Sequence, residues 1–125
     1  RHPVYVAELL LSALRQGSGG PAKFEELPRF PAVTRDVAFE LPLDFPNARV
    51  RAFFTGVKEP LFMGAEIFDV FTDSAGVKIA ADRKSTAWKL TYRASDKTLE
   101  TAEVDAVHSR IVAALEKSLP AAVRR

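Results

Sequence analysis

Residues 84–93 read Lys-Ser-Thr-Ala-Trp-Lys-Leu-Thr-Tyr-Arg, and their alternation constrains the rest of the chain. Successive side chains of an extended strand point to opposite faces, so Thr86, Trp88, Leu90 and Tyr92 fall on one side and Ser85, Ala87, Lys89, Thr91 and Arg93 on the other. The first side is a core; the second meets something polar. The preceding segment, Ala65 to Asp73, has the same period and places Phe68 and Val70 on one side and Ile67, Asp69 and Phe71 on the other. Pairing the two strands gathers Asp69, Phe71, Ser85, Lys89 and Arg93 on one surface: an acceptor, a ring, a hydroxyl and two cations. Such a mixture suits single-stranded nucleic acid, whose bases stack on rings, whose edges hydrogen-bond and whose phosphates need neutralising. A solvated sheet face would alternate in the same way, so the pattern by itself leaves both readings open.

Working outward, Pro28 and Pro31 bracket Arg29 and Phe30 and force extended backbone ahead of a first strand, about Val33 to Leu43. That strand carries Val37, Phe39 and Leu41 on one face and Asp36, Ala38 and Glu40 on the other. Pro46 preorganises a helix start, and Val50, Phe53, Phe54 and Val57 recur at amphipathic spacing before Gly56 and Pro60 help to end the helix. Asp73, Ser74, Ala75 and Gly76 open a charged loop, long for a hairpin, that extends through Lys78, Ala81, Asp82 and Arg83. A second helix is expected from about Thr101 to Leu119, striped by Val104, Val107, Ile111 and Leu115, with Glu103 and Asp105 near its positive end. Pro120 stops it and leaves Ala121 to Arg124 for a short last strand. This order predicts an α+β fold, a ferredoxin-like split βαββαβ sandwich with a four-stranded antiparallel sheet, both helices on one face and the other face open.

Two parts are expected. Residues 1–22 read as an N-terminal extension and linker from a preceding domain, and residues 23–125 as the folded domain. Val4 to Leu14 has the pattern of a strand entering a short helix, and Gln16 to Pro21 is rich in Gly and Pro that prevent regular backbone. A start at Arg1 and a strongly apolar run from Val4 to Leu11 suggest a piece of a longer polypeptide.

The 125 residues are 47% hydrophobic and 27% charged, enough for one well-formed core. With no cysteine there is neither a disulfide framework nor a thiolate metal site. A net charge of +2 is far below what gripping duplex phosphates by charge alone requires, so nucleic-acid contact must be local and shaped, and DNA is not an expected partner. No apolar run approaches the ~20 residues of a membrane span, and the start lacks signal-peptide regions, so the reading is soluble and cytoplasmic. No nucleophile stands with a plausible base and orienting partner, and no spacing suggests a metal site. Gly17, Gly19 and Gly20 lack the Lys of a phosphate loop, and His108, on the apolar side of the second helix, reads as structural. No catalytic residue, metal ligand or cofactor is therefore expected in this chain.

Several pieces in register resemble a known family. They are Phe30, Pro31, Ala32, Val33 with Arg35 and Asp36; Phe68, Asp69, Val70, Phe71; Lys84, Ser85; Thr98 and Leu99 ahead of the last helix; and the closing Val123, Arg124. Over about Leu27 to Arg124 the chain resembles the ferredoxin-fold anticodon-binding domain that ends the beta subunit of bacterial phenylalanyl-tRNA synthetase. Val4 to Leu9 is similar to the segment preceding that domain. The resemblance implies that Asp69 and Ser85 read the first anticodon base, a guanine, whose N1 and N2 donors a carboxylate can accept. Phe71 is a candidate stacking platform, though a strand aromatic also packs against neighbours. Lys89 and Arg93 are candidates for phosphates, as are Lys78, Arg83 and Lys84 on the loop. Arg35 either touches RNA or pairs internally with a carboxylate such as Asp36 or Asp69. Trp88, on the Leu90 and Tyr92 face, is expected in the core.

The resemblance further implies a non-catalytic tRNA-binding role inside phenylalanine–tRNA ligase. The parent would have two alpha and two beta chains, use ATP and Mg²⁺, and bind phenylalanine-specific tRNA through the anticodon stem-loop. Two departures accompany it: Glu100 and Thr101 stand where the family has a threonine cap after Leu99, and the loop from Thr72 to Arg83 is longer than in many members. The rival readings are a small-molecule (amino acid) sensing domain, which the Leu43 to Asn47 turn without glycine disfavours, and a subunit-assembly domain, which Asp69, Lys89 and Arg93 fit poorly.

Overall fold

The computed structural model describes residues 3–17, 24 and 26–124. The elements are α1 (Leu11–Gly17), β1 (Val33–Pro42), α2 (Asn47–Gly56), β2 (Phe62–Thr72), β3 (Arg83–Tyr92), α3 (Thr101–Ser118) and β4 (Ala122–Val123). From β1 onward this is the expected βαββαβ order. The sheet has four strands in the order β2-β3-β1-β4, and every pairing is antiparallel.

The core forms where the alternation predicts it. Val37, Phe39 and Leu41 of β1 and Trp88, Leu90 and Tyr92 of β3 are buried with Val50 and Phe54 of α2 and with Val104, Val107, Ile111 and Leu115 of α3. Phe54 lies 5.2 Å from Trp88, centroid to centroid, and the Tyr92 hydroxyl and His108 Nδ1 share a hydrogen bond of 2.9 Å. Both helices therefore cover one face, and His108 has the structural place its position suggests. Pro46 caps α2. At α3, Glu100 takes the cap position and its backbone N–H donates to the Glu103 carboxylate, so the helix starts at Thr101 without a threonine cap.

Three expectations need correction. The Ala65 to Asp73 period is broken: Ile67 stands opposite Trp88 and Asp69 opposite Ala87, with a β-bulge between them. The extra residue, Phe68, lets Ile67 pack on the core while Asp69 and Phe71 stay on the helix-free side. Phe68 itself lies there too, its ring 5.5 Å from Lys89 Nζ, rather than on the Val70 side. Second, residues 4–10 form no strand, although the helix expected after them is present as α1. Third, α1 continues to Gly17, into the expected linker; Ser18 to Pro21 and the boundary near Lys23 lie outside the described residues.

Candidate nucleic-acid interface

The helix-free face is organised in rows that run across the strands. One row is Phe71, Ser85, Glu40 and Ala122, contributed in turn by β2, β3, β1 and β4. The next is Asp69, Ala87, Ala38 and Arg124, the last joined to it by a 2.8 Å bond from the Arg124 N–H to the Ala38 carbonyl. A third row is Glu66, Lys89 and Asp36. Asp69 and Ser85 are thus diagonal neighbours on paired strands, a relation that sets residues about 7–8 Å apart, within the reach of one purine. Ala87 and Ala38 between the walls give the face a shallow floor.

Ser85 is only 5% exposed despite lying on the side no helix covers, and its hydroxyl has no hydrogen-bond partner among the described residues. Asp69 is exposed, and its carboxylate likewise has no partner among those residues. An acceptor and a hydroxyl are therefore both uncommitted. Phe71 is half-buried on the edge strand, with the Arg124 guanidinium 5.9 Å from its ring centroid.

The cations separate into distinct environments. Lys89 is exposed but has Glu66 and Asp36 directly across from it, which lowers the local positive potential. Arg93 follows β3 on the open side, its Nε buried without a partner among the described residues, and lines a recess of about 400 Å³ with Glu26, Arg29, Met63 and Ser95. Lys84 belongs to β3, opposite Leu41, and shares the helix-side parity of Thr86. Arg83 is also in the strand; its Nη2 donates to the Glu40 carbonyl at 2.9 Å. Arg35 shares the parity of Val37 and faces the helices, where Nε donates to Asp105 Oδ1 at 2.9 Å and Nη1 to the Thr34 carbonyl at 3.0 Å. Of the two roles open to Arg35, internal pairing is the one observed, with Asp105 rather than Asp36 or Asp69. Burial and then the Arg35 charge push His108 below the ordinary imidazole range, against a smaller opposing pull from Asp105.

The loop between β2 and β3 is organised by Asp73. Its carboxylate accepts the backbone N–H groups of Ala75, Val77 and Lys78 at 3.0, 2.9 and 2.6 Å, and these bonds, that from Lys78 foremost, hold its pKa below the usual carboxylate range. Gly76, at φ 68, makes the turn, and Ile79 is the buried apolar residue of the loop. Lys78 is carried at its exposed rim. The residues that sequence reasoning did not assign to the face are Phe68, hidden by the bulge, and Arg124, whose parity after Val123 was the available signal. Among the described residues no cluster of three or more His, Asp or Glu is placed to hold a metal ion, and no helix is long and apolar enough to cross a membrane.

Sequence comparison places this geometry among known proteins. The chain is 40% identical over 121 residues to the phenylalanine–tRNA ligase beta subunit of Symbiobacterium thermophilum, covering 97% of this chain and 13% of that one. It is 39% identical over 121 residues to the corresponding subunit of Anaeromyxobacter dehalogenans, covering 97% and 14%, and 33% identical over 120 residues to that of Geobacillus kaustophilus, covering 96% and 15%. The chain thus spans only about one-seventh of the length of these relatives. Residues 28–124 match the family model described as the ferredoxin-fold anticodon-binding domain, and the chain belongs to that family.

Proposed function

We propose that the helix-free face of this sheet binds the anticodon stem-loop of phenylalanine-specific tRNA on behalf of a phenylalanine–tRNA ligase beta subunit. The observation that carries the reading is the diagonal placement of Asp69 and Ser85, both uncommitted, on the one sheet face left uncovered by helices. In this reading Asp69 accepts from N1 and N2 of a guanine at the first anticodon position, Ser85 engages another part of that base, and Phe71 supplies a stacking surface. Lys89 and Arg93 act on the backbone, and Arg35 and Lys84 support the fold from the helix side. The chain contributes binding and discrimination. In the whole enzyme, an assembly with an alpha subunit that uses ATP and Mg²⁺, binding energy at the anticodon would help to position the distant acceptor end.

Residues 1–22 fit the role of an extension from a preceding domain. Val4, Tyr5, Val6 and Leu9 are each at least 70% exposed, an apolar surface suited to burial against another part of a longer polypeptide. A gel-shift titration of this chain with the cognate anticodon hairpin and with a scrambled hairpin of equal length tests the function. Binding to the cognate hairpin alone is expected; equal affinity for both rejects the reading.

A further inference from the structure

The recess of about 400 Å³ past the end of β3 takes its walls from three separate stretches: Glu26 to Arg29, Pro60 with Met63, and Arg93 to Ser95. Its frame is fixed. Pro28 and Pro60 have restricted backbone, the Arg93 N–H donates to the Leu61 carbonyl at 2.9 Å, and Ala94 is buried. Two guanidinium groups line it, those of Arg29 and Arg93, together with Ser95. Glu26 lines it as well, yet neither arginine forms an ion pair with it or with any other carboxylate among the described residues.

Arg93 is the unusual member of this set. Its Nε is buried without a hydrogen-bond partner among the described residues, whereas its two Nη groups remain accessible and equally unengaged. A buried donor on a charged group has lost its water without replacement, so an arriving anion stabilises such a cation more than a fully hydrated one. Partial burial of the side chain also leaves less freedom to be lost on binding. The Nη pair presents the planar fork that matches two oxygens of one phosphate. Arg29 adds an exposed second cation, Ser95 a hydroxyl donor, and Pro60 with the 58%-exposed Met63 an apolar wall. The volume is room for about a dozen waters, enough for a phosphate and its ribose. With a strand rise of about 3.3 Å per residue, Arg93 stands about 20 Å from Ala87, the residue opposite Asp69. That separation lies beyond the phosphates flanking a base held at Asp69.

We propose that this recess holds one phosphodiester of the RNA backbone, with its ribose, several nucleotides away from the base read at Asp69 and Ser85. The proposal rests on the assignment of the open face to an anticodon stem-loop and adds to it a second grip that is blind to base identity. Both grips are filled together only by an RNA whose loop and stem hold a base and a remote phosphate at that spacing. A flexible strand with the same bases loses conformational freedom to reach both points, whereas a folded hairpin has already done so. The recess therefore lets the domain select a stem-loop over an unstructured strand of the same sequence.

The test uses the full chain, its Arg93→Ala and Arg29→Ala variants, the cognate anticodon hairpin, a short single strand of the loop sequence alone, and hairpins each carrying one neutral methylphosphonate linkage. Arg93→Ala is expected to lower hairpin affinity about tenfold, the scale of a charge-assisted hydrogen-bonded pair, and the more exposed Arg29→Ala about threefold. Affinity for the short strand changes less than about twofold in either variant, because that RNA does not reach the recess. One methylphosphonate, remote from the first anticodon nucleotide, weakens binding to the unmodified chain by a similar factor and weakens Arg93→Ala no further. Equal losses on hairpin and short strand, or no linkage whose effect depends on Arg93, would mean diffuse charge and would overturn the proposal. Inorganic phosphate that raises the melting temperature of the unmodified chain but not of Arg93→Ala, with hairpin affinity unchanged in that variant, would make the recess a site for a free anion and overturn it as well. An unmodified chain that binds cognate and scrambled hairpins alike would instead remove the underlying assignment of the face. Arg29 is exposed, so its selective loss on the hairpin keeps the test decisive even where Arg93→Ala perturbs folding.

Discussion

The two faces of this sheet draw alternate residues from the same strands, yet they follow different design constraints. On the helix side Phe39, Leu41, Trp88, Leu90 and Tyr92 are fully buried, and the one ionic group reaching in from β1, Arg35, has a carboxylate and a carbonyl on its guanidinium. On the open side the groups with the most recognition chemistry, Asp69, Ser85 and Arg124, are left without polar partners among the described residues. Polar side chains free of protein partners thus gather on the open face, although the atoms buried without a partner among the described residues are Arg93 Nε after β3 and Asn47 Oδ1 at the start of α2. Ser85 is mostly buried, yet its hydroxyl oxygen is not sealed from solvent, so a ligand can take up the bond it makes to water in the free domain.

Mutations on the two faces should therefore fall into separate classes. The largest effect is expected from Trp88→Ala, which empties the centre of the core and should cost about 3–5 kcal/mol of folding stability in urea titrations. Asp69→Ala leaves the unfolding midpoint in place and weakens binding of a hairpin with guanine at the first anticodon position by about 1–3 kcal/mol, as read by fluorescence titration. An unaltered preference for guanine over adenine would remove Asp69 from the reading role. Ser85→Ala sharpens the contrast, because it should cost binding about 1 kcal/mol while leaving the free domain about as stable, its hydroxyl having no partner among the described residues to lose.

Smaller differences separate the cations. Lys89→Ala and Arg93→Ala should each reduce the slope of log affinity against log salt by about 1 with little change in base preference. Arg35→Ala should leave that slope alone and cost less than about 1 kcal/mol of stability, since the Arg35–Asp105 pair is partly exposed. The pH dependence gives the finest test. Because the folded state holds the His108 pKa below its ordinary 6.5, the unfolded chain binds that proton more readily, and stability falls on acidification below about pH 6.5. His108→Gln should flatten that limb of the stability profile; an unchanged slope would place the titration elsewhere.

Most of this architecture was legible because β1, β3 and α3 keep their periods without interruption. The partner of Arg35 was not read: the residue shares the parity of Val37 and Phe39, but the carboxylates offered for it were Asp36 and Asp69, and the one it meets is Asp105 of α3. What the pattern could not carry were features set by contacts distant in sequence or by irregular backbone. The bulge at Phe68 has no signature in residue type, and it moved Ile67 to the core and Phe68 to the opposite face. The loop from Asp73 onward looked like charged, open chain because three backbone donors converging on one carboxylate are visible only after the turn closes. For the candidate site, Asp69, Phe71 and Ser85 were found from parity. The Arg124 approach to Phe71 was not, because it joins opposite edges of the sheet.

The bulge gives this surface a dependence on counting as well as on chemistry. Deleting the single residue Phe68 would make Ile67 and Asp69 consecutive opposite Trp88 and Ala87, a regular ladder in which Ile67 keeps the core side and Asp69 and Phe71 keep the open one. Deleting a paired residue beyond it, such as Val70, would instead bring Phe71 opposite Thr86 and turn it to the helix side. A deletion scan through this strand should accordingly be forgiving at Phe68 and severe at the paired positions after it, which would make reading frame within a strand a heritable determinant of ligand choice.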